Sequence, residues 1–291
     1  MSIYFEQYAH QTDFKTSESW VVLSPIEKQI KEKIEAIGTP LKEWDININY
    51  GIKTGFNEAF IITGEKRKEL IEQDAKSAEI IRPILRGRDI KKYGYDFADL
   101  WLINTHNGIK EKNVKRICIE DYPAIKKHLD KYYLQLVKRS DKGDTPYNLR
   151  NCAYMEDFFR PKVIYPNMTK FLPFVYDDKD FLTNQKCFII TGEKVEFLTA
   201  FLNSSLFKYC FRDNFPELQG GTRELSKVFF DKISVINVSI ETNVEFKKLI
   251  SGIKKNNKSN KEIELKIDEL IYDLYDLSID ERNEIGFIEF Q

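Results

Sequence analysis

The apolar residues of this chain follow two different periodicities, and the change from one to the other limits the possible folds. Ser24-Pro25-Ile26-Glu27 has the residues of a capping box with proline in the first turn, which predicts the start of a helix. The apolar stripe of that helix recurs at helical spacing, at Ile26, Ile30, Ile34 and Ile37. A strand with one solvated face is predicted downstream, where apolar residues alternate with polar ones at Ile46, Ile48, Tyr50 and Ile52.

The rest of the chain mixes the same two patterns without strict alternation. Helices are predicted over residues 65–82, 122–136, 193–211, 241–255 and 261–276. Strands are predicted at 59–62, as the partner of 46–52, and at 101–103, 162–165, 172–176 and 187–191. Such a mixture favours the α+β class. We therefore divide the chain into a mixed α/β domain, residues 1–238, and a C-terminal helical extension, residues 239–291.

The formal net charge of −1 hides an uneven distribution of charge. Residues 262–291 contain ten acidic and two basic residues, a net charge of −8, so residues 1–261 carry +7. The basic body fits either a polyanionic partner or ordinary surface scatter. The acidic segment also has an apolar stripe, which predicts packing on the helix at 241–255 or on a partner, with the acidic face away from any polyanion.

Composition excludes several classes of protein. Hydrophobic residues make up 42% of the chain and charged residues 31%, the balance of a globular domain. No run approaches the roughly 18 consecutive apolar residues that a membrane helix needs, and the first residues do not resemble a signal peptide. The four cysteines are widely spaced, which predicts neither a zinc site nor a disulfide framework. We expect a cytoplasmic protein with reduced cysteines and no membrane partner.

The common catalytic motifs are missing from the sequence. It has no glycine-rich phosphate or dinucleotide loop, no nucleophile elbow and no His-Glu-x-x-His zinc motif. It also lacks the Asn-Pro-Pro-Tyr loop with which amino-methyltransferases of DNA hold their target base. One alternative is a metal-dependent nuclease fragment that uses Asp177 and Lys179. Another is a protein-interaction module built from the helices of 241–285.

Polar and basic loops provide the remaining candidate site. Their side chains are of the kinds that contact phosphates or base edges. The candidates are Lys53, Thr54 and Asn57; Arg86, Arg88 and Lys91; Lys138, Arg139, Tyr147, Asn148 and Arg150; Lys170; and Gln219, Thr222 and Arg223. The segment 82–92 is the most basic, with Arg82 and Lys92 in addition and only Asp89 to oppose five cations. Each loop alone could equally be a solvated turn, but together they favour a nucleic-acid surface.

Several segments of the sequence occur in the same order as in one known family. They read YGIKTGFNEAFII, AEIIRPILRGRDIKKYGYDFADLWLINTHNG, DYPAIKKHL, KRSDKGDTPYNLRNCAY, FFRPKVIYP and FLTAFLNSSL. Between about Trp20 and Ile236 the chain resembles the TaqI-type C-terminal specificity domain. That domain is the target-recognition part of fused type IIG restriction–modification enzymes and of adenine-specific DNA methyltransferases.

The resemblance implies a role in reading DNA. In that family the domain follows an adenine-N6 methyltransferase, and often a nuclease, and it clamps double-stranded DNA for both activities. It implies that this chain is the non-catalytic recognition part, either a fragment or a separate subunit, with the methyltransferase and nuclease domains as partners. The chain itself would need no cofactor, and S-adenosylmethionine and Mg²⁺ would belong to the whole enzyme.

The resemblance also sorts the candidate residues. Shared motifs would hold the fold and the phosphates, and they comprise Gly51, Lys53, Gly55 and Asn57; Arg86, Gly87, Arg88 and Asp89; Tyr147, Leu149 and Arg150; Lys162; and Asn203 with Ser204. Of these, Asn203 and Ser204 are expected to be structural. The choice of bases would then fall to the less family-like loops Thr105–Lys112, Asn167–Leu172 and Asp213–Arg223.

Overall fold

A computed structural model describes residues 24–253 and 260–288. Within them the chain divides into two compact units. The sheet unit is Asp45–Thr199, and the helical unit comprises the described residues of Met1–Trp44 and Ala200–Gln291. Strands and helices occur without strict alternation, so the predicted α+β class is confirmed. No helix of the described ranges has both the length and the apolar character that crossing a membrane requires.

The elements are numbered in chain order. The helices are α1 Pro25–Ile37, α2 Asn57–Phe60, α3 Gly64–Gln73, α4 Pro123–Asp130, α5 Tyr133–Lys138, α6 Val195–Asn203, α7 Ser205–Phe211, α8 Lys227–Phe230, α9 Ile240–Gly252, α10 Asn260–Leu274 and α11 Ile279–Ile285. The strands are β1 Thr39–Pro40, β2 Ile46–Tyr50, β3 Ile61–Thr63, β4 Ile81–Leu85, β5 Ile90–Lys91, β6 Gly94–Tyr95, β7 Leu100–Ile103, β8 Lys162–Pro166, β9 Met168–Thr169, β10 Val175–Asp177, β11 Leu182–Thr183, β12 Cys187–Gly192, β13 Arg223–Glu224 and β14 Ser234–Val235.

The sheet unit is built on two four-stranded sheets. The first has the order β10-β8-β12-β2 and is antiparallel throughout, with Ile190 of β12 opposite Ile48 of β2. The second has the order β11-β4-β7-β3, in which only β11 and β4 are parallel. Side chains of both sheets, such as Ile164 and Leu102, join α4 in a single apolar cluster. Loops between these strands are therefore anchored in one core.

The last three helices of the helical unit pack against one another or against α1 and α7. α10 contacts α9 and α7, and α11 contacts α1 and α7. The interior side chains Ile34, Phe207, Ile271 and Tyr275 are fully or almost fully buried. The short strand β14 pairs with β1 and also contacts α1. Burial of this apolar surface is what stabilises the unit.

The acidic segment is integrated into this unit by specific polar contacts. The carboxylate of Asp268, which is buried, accepts hydrogen bonds from the backbone N–H and the hydroxyl of Ser205 at 2.9 and 2.6 Å. Glu281 accepts from the ammonium of Lys33 at 2.8 Å. The division into units therefore does not coincide with the predicted boundary at residues 238 and 239, because the helices beyond it share a core with α1 and α7.

Two sequence-based predictions of secondary structure are wrong at their edges. Ala59 and Phe60 belong to α2, and the strand that follows, β3, pairs with β7 and not with β2. The helix predicted over 65–82 ends at Gln73, where the carboxylate of Asp74 accepts from the Lys76 N–H at 3.2 Å and opens a 3₁₀ turn. After this turn the chain enters β4, whose backbone pairs with β11 and β7 and whose residues Ile81, Ile84 and Leu85 are buried.

Other predicted helices are interrupted or extended. The helix predicted over 122–136 is two helices, α4 and α5, and the one over 193–211 breaks at Ser204. Ser204 caps α7 by accepting from the Phe207 N–H at 3.1 Å, which confirms its structural role. α11 was not predicted, although Ser278 and Glu281 form a capping box at its start. Residues 254–259, between α9 and α10, lie outside the described residues.

Candidate nucleic-acid interface

The glycine loop at residues 51–57 lies against the turn between β11 and β12. The backbone N–H of Gly51 donates to the Cys187 carbonyl at 2.8 Å, and that of Ile52 donates to the Thr183 carbonyl at 2.7 Å. A Cβ atom on Gly51 would overlap the carbonyl group of Asn184. Position 51 therefore requires glycine because two backbone segments approach closely there.

A buried arginine ties this glycine loop to the loop at residues 138–150. The guanidinium of Arg139 donates to the carbonyl oxygens of Thr54, of Pro146 at 3.0 Å and of Asn148 at 2.5 Å. It also lies over the ring of Phe60, 4.5 Å from the ring centroid. Burial lowers the pKa of Arg139 to about 10, so the group is still a cation at neutral pH. Its donors are occupied by backbone, and its role in this arrangement is to fix both loops.

The Arg-Gly-Arg-Asp motif forms a closed turn. Arg86 pairs with Asp89 through two side-chain hydrogen bonds of 3.0 and 2.8 Å, and its backbone N–H donates to the same carboxylate at 2.8 Å. This hydrogen bonding to Asp89 raises the pKa of Arg86. The turn contacts β8, while the side chain of Arg88 is exposed. The sequence predicted that Asp89 alone cannot pair with every cation of segment 82–92. Asp89 pairs with Arg86 and leaves Arg88 without an acidic partner.

The loop at 167–172 and the turn at 184–186 complete this group. The backbone N–H of Asn167 donates to the Lys186 carbonyl at 2.8 Å, and that of Asn184 donates to the Leu85 carbonyl at 3.2 Å. The side chain of Asn184 accepts from the Lys186 N–H at 3.1 Å and closes the turn. We call the segments 51–57, 86–92, 138–150, 167–172 and 184–186 the loop cluster. All of them belong to the sheet unit.

Five cations of the loop cluster make neither an ion pair nor a side-chain hydrogen bond within the part of the chain that the structure describes. They are Lys53, Arg88, Lys138, Lys170 and Lys186. The ammonium of Lys53 lies 5.2 Å from the ring centroid of Tyr50. Three other cations are paired or close to an acid: Arg86, Arg150 with Asp141 at 2.9 Å, and Lys91, which is 4.0 Å from Asp96. The cluster therefore carries positive charge that the described residues do not neutralise.

Four predicted DNA-contacting residues are buried, which opposes direct contact with a duplex. They are Thr54, Arg139, Asn148 and Arg223, each at most 7% exposed. The hydroxyl of Thr54 donates to the Asn57 side chain at 2.5 Å. The amide of Asn148 donates to the Ile117 carbonyl at 2.9 Å and accepts from Thr145 at 2.6 Å. These side chains hold loops in place, because their hydrogen-bonding groups face the protein.

Tyr147 and Arg150 are only partly available. The hydroxyl of Tyr147 donates to Asp130 at 2.6 Å, and the ammonium of Lys126 lies 5.4 Å from its ring centroid. Burial and the hydrogen bond to Asp130 raise the pKa of Tyr147. Arg150 is half exposed beside Asp141. An exposed pair of this kind is worth little, so Arg150 could exchange Asp141 for a phosphate at small cost.

The fourth predicted loop lies in the helical unit. Its base is fixed by Arg223, which donates to the Phe215 carbonyl at 2.8 Å and pairs with Asp213 and Glu217 at 2.9 and 3.0 Å. Its tip is the turn at Gly220 and Gly221, whose φ angles are +75° and +76°. The tip leaves Gln219 exposed and Thr222 half-buried. Glycine suits both positions because a side chain disfavours this left-handed backbone.

The loop Thr105–Lys112, predicted to choose bases, is used partly as a support. Asn107 accepts from the Asp144 N–H at 2.8 Å and donates to the Asn151 side chain, which holds the loop at 138–150. His106 accepts from the Gly108 N–H at 3.1 Å, and burial lowers the pKa of its imidazole. Both residues line a cavity of about 410 Å³ in the sheet unit.

The turn at 184–186 was not among the site residues predicted from the sequence. Asn184-Gln185-Lys186 is a polar triplet between two apolar runs, so the sequence was sufficient to predict a turn there. Its side chains are of the kinds that contact phosphates or base edges. The position of this turn beside Gly51 and the 86–89 turn could not be predicted, because it depends on the pairing of β12 with β2 and of β11 with β4.

The nuclease alternative does not fit the geometry at Asp177. Its carboxylate is 2% exposed and accepts from the ammonium of Lys162 at 2.7 Å, from the Phe181 N–H at 3.2 Å and from the Lys179 N–H at 3.3 Å. Both oxygens are occupied, and no group of three His, Cys, Asp or Glu residues in the described ranges could hold a metal ion. Mg²⁺ does not fit these residues.

The protein-interaction alternative fails for a similar reason. The apolar side chains that would form its surface, including Ile267, Ile271 and Tyr275, are buried inside the helical unit. Leu265 is 41% exposed, and Leu270 and Leu274 are half-buried. The stripe on α10 is thus largely covered by this chain itself, in part by α9 as predicted.

The fold is one that occurs in type II restriction enzymes. The type IIL restriction-modification enzyme MmeI, solved in complex with DNA, is 12% identical over 83% of this chain, with a TM-score of 0.57. The type IIG restriction endonuclease BpuSI is 15% identical over 90%, with a TM-score of 0.51. This chain spans 34% of the length of each of these two proteins.

The family resemblance found in the sequence is confirmed. The chain belongs to the family of TaqI-like C-terminal specificity domains, which matches residues 82–235, more than half of its length. The matched range includes four segments of the loop cluster and the glycine loop tip of the helical unit, and it omits the loop at 51–57.

Proposed function

We propose that this chain recognises a specific sequence in double-stranded DNA, as the specificity domain of a type II restriction–modification enzyme. The observation that carries the proposal is the set of five cations without ion pairs on contacting loops of a TaqI-like specificity domain. Cations that a fold leaves unneutralised bind phosphates by releasing condensed counterions. The family match supplies the expectation that the phosphates belong to a duplex.

The side chains that reach solvent divide into two roles. Lys53, Arg88, Lys138, Lys170 and Lys186 would contact phosphates and set the position of the duplex. Asn57 and Gln219, both exposed, carry amides that can pair with the N6 and N7 edge of adenine in the major groove. The buried set defined by Thr54, Arg139, Asn148 and Arg223 would keep the loops in the conformation that binds.

The remaining parts of the proposal concern the whole enzyme. An adenine-N6 methyltransferase domain and a nuclease domain would be partners in the same enzyme, which would be cytoplasmic. S-adenosylmethionine and Mg²⁺ would bind to those domains. The motif survey of the sequence and the occupied carboxylate of Asp177 support a chain without catalytic groups.

Selection of duplexes from a random pool, followed by salt titration of the best binder, tests this function. We expect an enriched sequence and a linear fall of log K with log[salt]. Replacing Lys53, Arg88, Lys170 and Lys186 with glutamine should reduce the slope by about four, one for each phosphate contact. The matched control replaces Lys28, Lys68, Lys115 and Lys127, exposed lysines outside the loop cluster. A pool without enrichment, or equal slopes for both variants, would refute the proposal.

A further inference from the structure

The loop at 167–172 holds two large apolar side chains in solvent. Met168 is 48% exposed and Phe171 is 49% exposed, and the exposed Lys170 lies between them in sequence. The ring of Phe171 packs on no other ring of the described chain. Phe97 shows the contrast, because it is 37% exposed yet packs edge-on against Trp101 and Phe181, with centroids 5.8 and 5.3 Å away. Core packing therefore accounts for Phe97 and not for Phe171.

The backbone of this loop is fixed at both ends. Asn167 is bound to the Lys186 carbonyl, and the hydroxyl of Thr169 accepts from the Phe171 N–H at 3.0 Å. Leu172 is fully buried and has a φ angle of +45°, a conformation that costs energy for a residue with a side chain. The buried Leu172 turns the chain back into the core, so that the preceding Phe171 stays outside.

The surroundings of Phe171 are cationic. Lys170 is its neighbour in sequence, Lys186 is at the turn that binds Asn167, and the turn of Arg88 contacts β8, which leads into the loop. None of the three cations makes an ion pair within the described ranges. An exposed apolar ring on a loop that carries one unneutralised cation and adjoins the segments of two others is complementary to stacked bases between two phosphate backbones. It is a poor match for an apolar protein surface, which would leave those cations desolvated.

We propose that Phe171 inserts between adjacent base pairs of the bound duplex and unstacks that step. Inserting an apolar side chain in this way costs the stacking energy of the opened step, and contacts with the distorted duplex offset that cost. This inference rests on the proposed function, since it needs a duplex on the loop cluster. It adds to that function an apolar contact with the base stack, which the loop charges alone do not require.

The test compares otherwise identical duplexes that are fully paired or contain one unpaired thymine. Unpaired bases reduce the unstacking cost, so the wild-type chain should bind the second duplex about tenfold more tightly. Phe171→Ser should reduce this preference to about twofold or less, mainly by weakening binding to the duplex with the unpaired thymine, and the salt slope should stay within error because no phosphate contact is lost. Phe171→Leu should keep most of the preference, because leucine can also serve as a wedge.

Ile279→Ser is the matched control, because Ile279 is 76% exposed and belongs to the helical unit. It should leave the preference unchanged. The inference is overturned by a wild-type chain without preference, or by a Phe171→Ser variant that keeps it. Failure of the proposed function looks different: the wild-type chain would then show no salt-dependent binding to the fully paired duplex.

Discussion

The guanidinium of Arg139 donates a hydrogen bond to the carbonyl oxygen of Thr54, and this contact joins the two loops that carry Lys53 and Lys138. From the sequence alone, Arg139 was a candidate for phosphate contact. In the folded chain it is 7% exposed, and its guanidinium donates hydrogen bonds to three carbonyl groups. This buried cation therefore holds the two loops together.

Arg139→Ala should weaken both the fold and DNA binding. Loss of the guanidinium leaves carbonyl groups of Thr54, Pro146 and Asn148 without donors, at a cost of about 2–4 kcal/mol in the free energy of unfolding. Amide hydrogen exchange should accelerate over 51–57 and 138–150. Lys138→Ala is the control, since it removes an exposed charge and should change only the salt slope. Equal stabilities of the two variants would show that Arg139 does not hold the loops.

Arg86 and Arg88 should behave differently although they share one motif. Arg88→Ala should lower the slope of log K against log[salt] by about one and leave the stability unchanged. Arg86→Ala should destabilise the fold by roughly 1–3 kcal/mol, because Asp89 is 4% exposed and loses its partner. Chemical denaturation and salt titration of both variants measure these effects. Identical behaviour in the two assays would contradict the assignment.

The buried pair of Lys162 and Asp177 should be structural. Lys162→Met alone leaves a buried carboxylate without its cation and should cost about 3–5 kcal/mol of unfolding free energy. The double variant Lys162→Met with Asp177→Leu should recover part of that loss, since neither charge remains although the Phe181 N–H then lacks its acceptor. Recovery in denaturant unfolding supports the pair, and an additive loss would count against it.

The acidic helices should contribute to stability while opposing DNA. Ile271→Ala should cost about 2–5 kcal/mol, because the side chain is fully buried. Deleting residues 262–291 should therefore unfold much of the helical unit. Glu262→Gln with Asp280→Asn neutralises exposed charge without touching the core, and it should leave DNA affinity unchanged or raised. A clear loss of affinity in that folded variant would place the acidic segment on the binding surface.

Stability should fall as the pH drops below about 6.5. The imidazole of His128 is buried and donates to the Ala59 carbonyl at 3.0 Å, and burial lowers its pKa below the ordinary 6.5. The unfolded chain therefore takes up protons on His128 before the folded chain does, so stability is full above pH 6.5 and is lost as pH falls. Denaturation between pH 5 and 7.5 measures the slope, and His128→Gln should make it shallower. An unchanged slope would exclude His128 as a source.

Local sequence patterns identified elements that depend only on neighbouring residues. The capping box at Ser24 and Glu27 starts α1, and the alternation after Ile46 marks β2, because caps and side-chain periodicity are properties of a few adjacent residues. The motif segments were likewise sufficient to place the chain in its family. The net charges of the basic residues 1–261 and of the acidic segment 262–291 could be counted from the sequence, since charge is additive along a chain.

Tertiary structure decided which strands meet and which cations remain free. Nothing local pairs β2 with β12 or brings Asn184 to Gly51, and Phe60 joins a helix although aromatic side chains favour strands. The sequence presented Arg86, Arg88 and Arg139 as equivalent cations. In the fold, Arg86 closes a turn, Arg88 lies in solvent and Arg139 is buried where it holds two loops. Only the fold distinguishes them, because burial and long-range partners are set by packing that sequence neighbours do not determine.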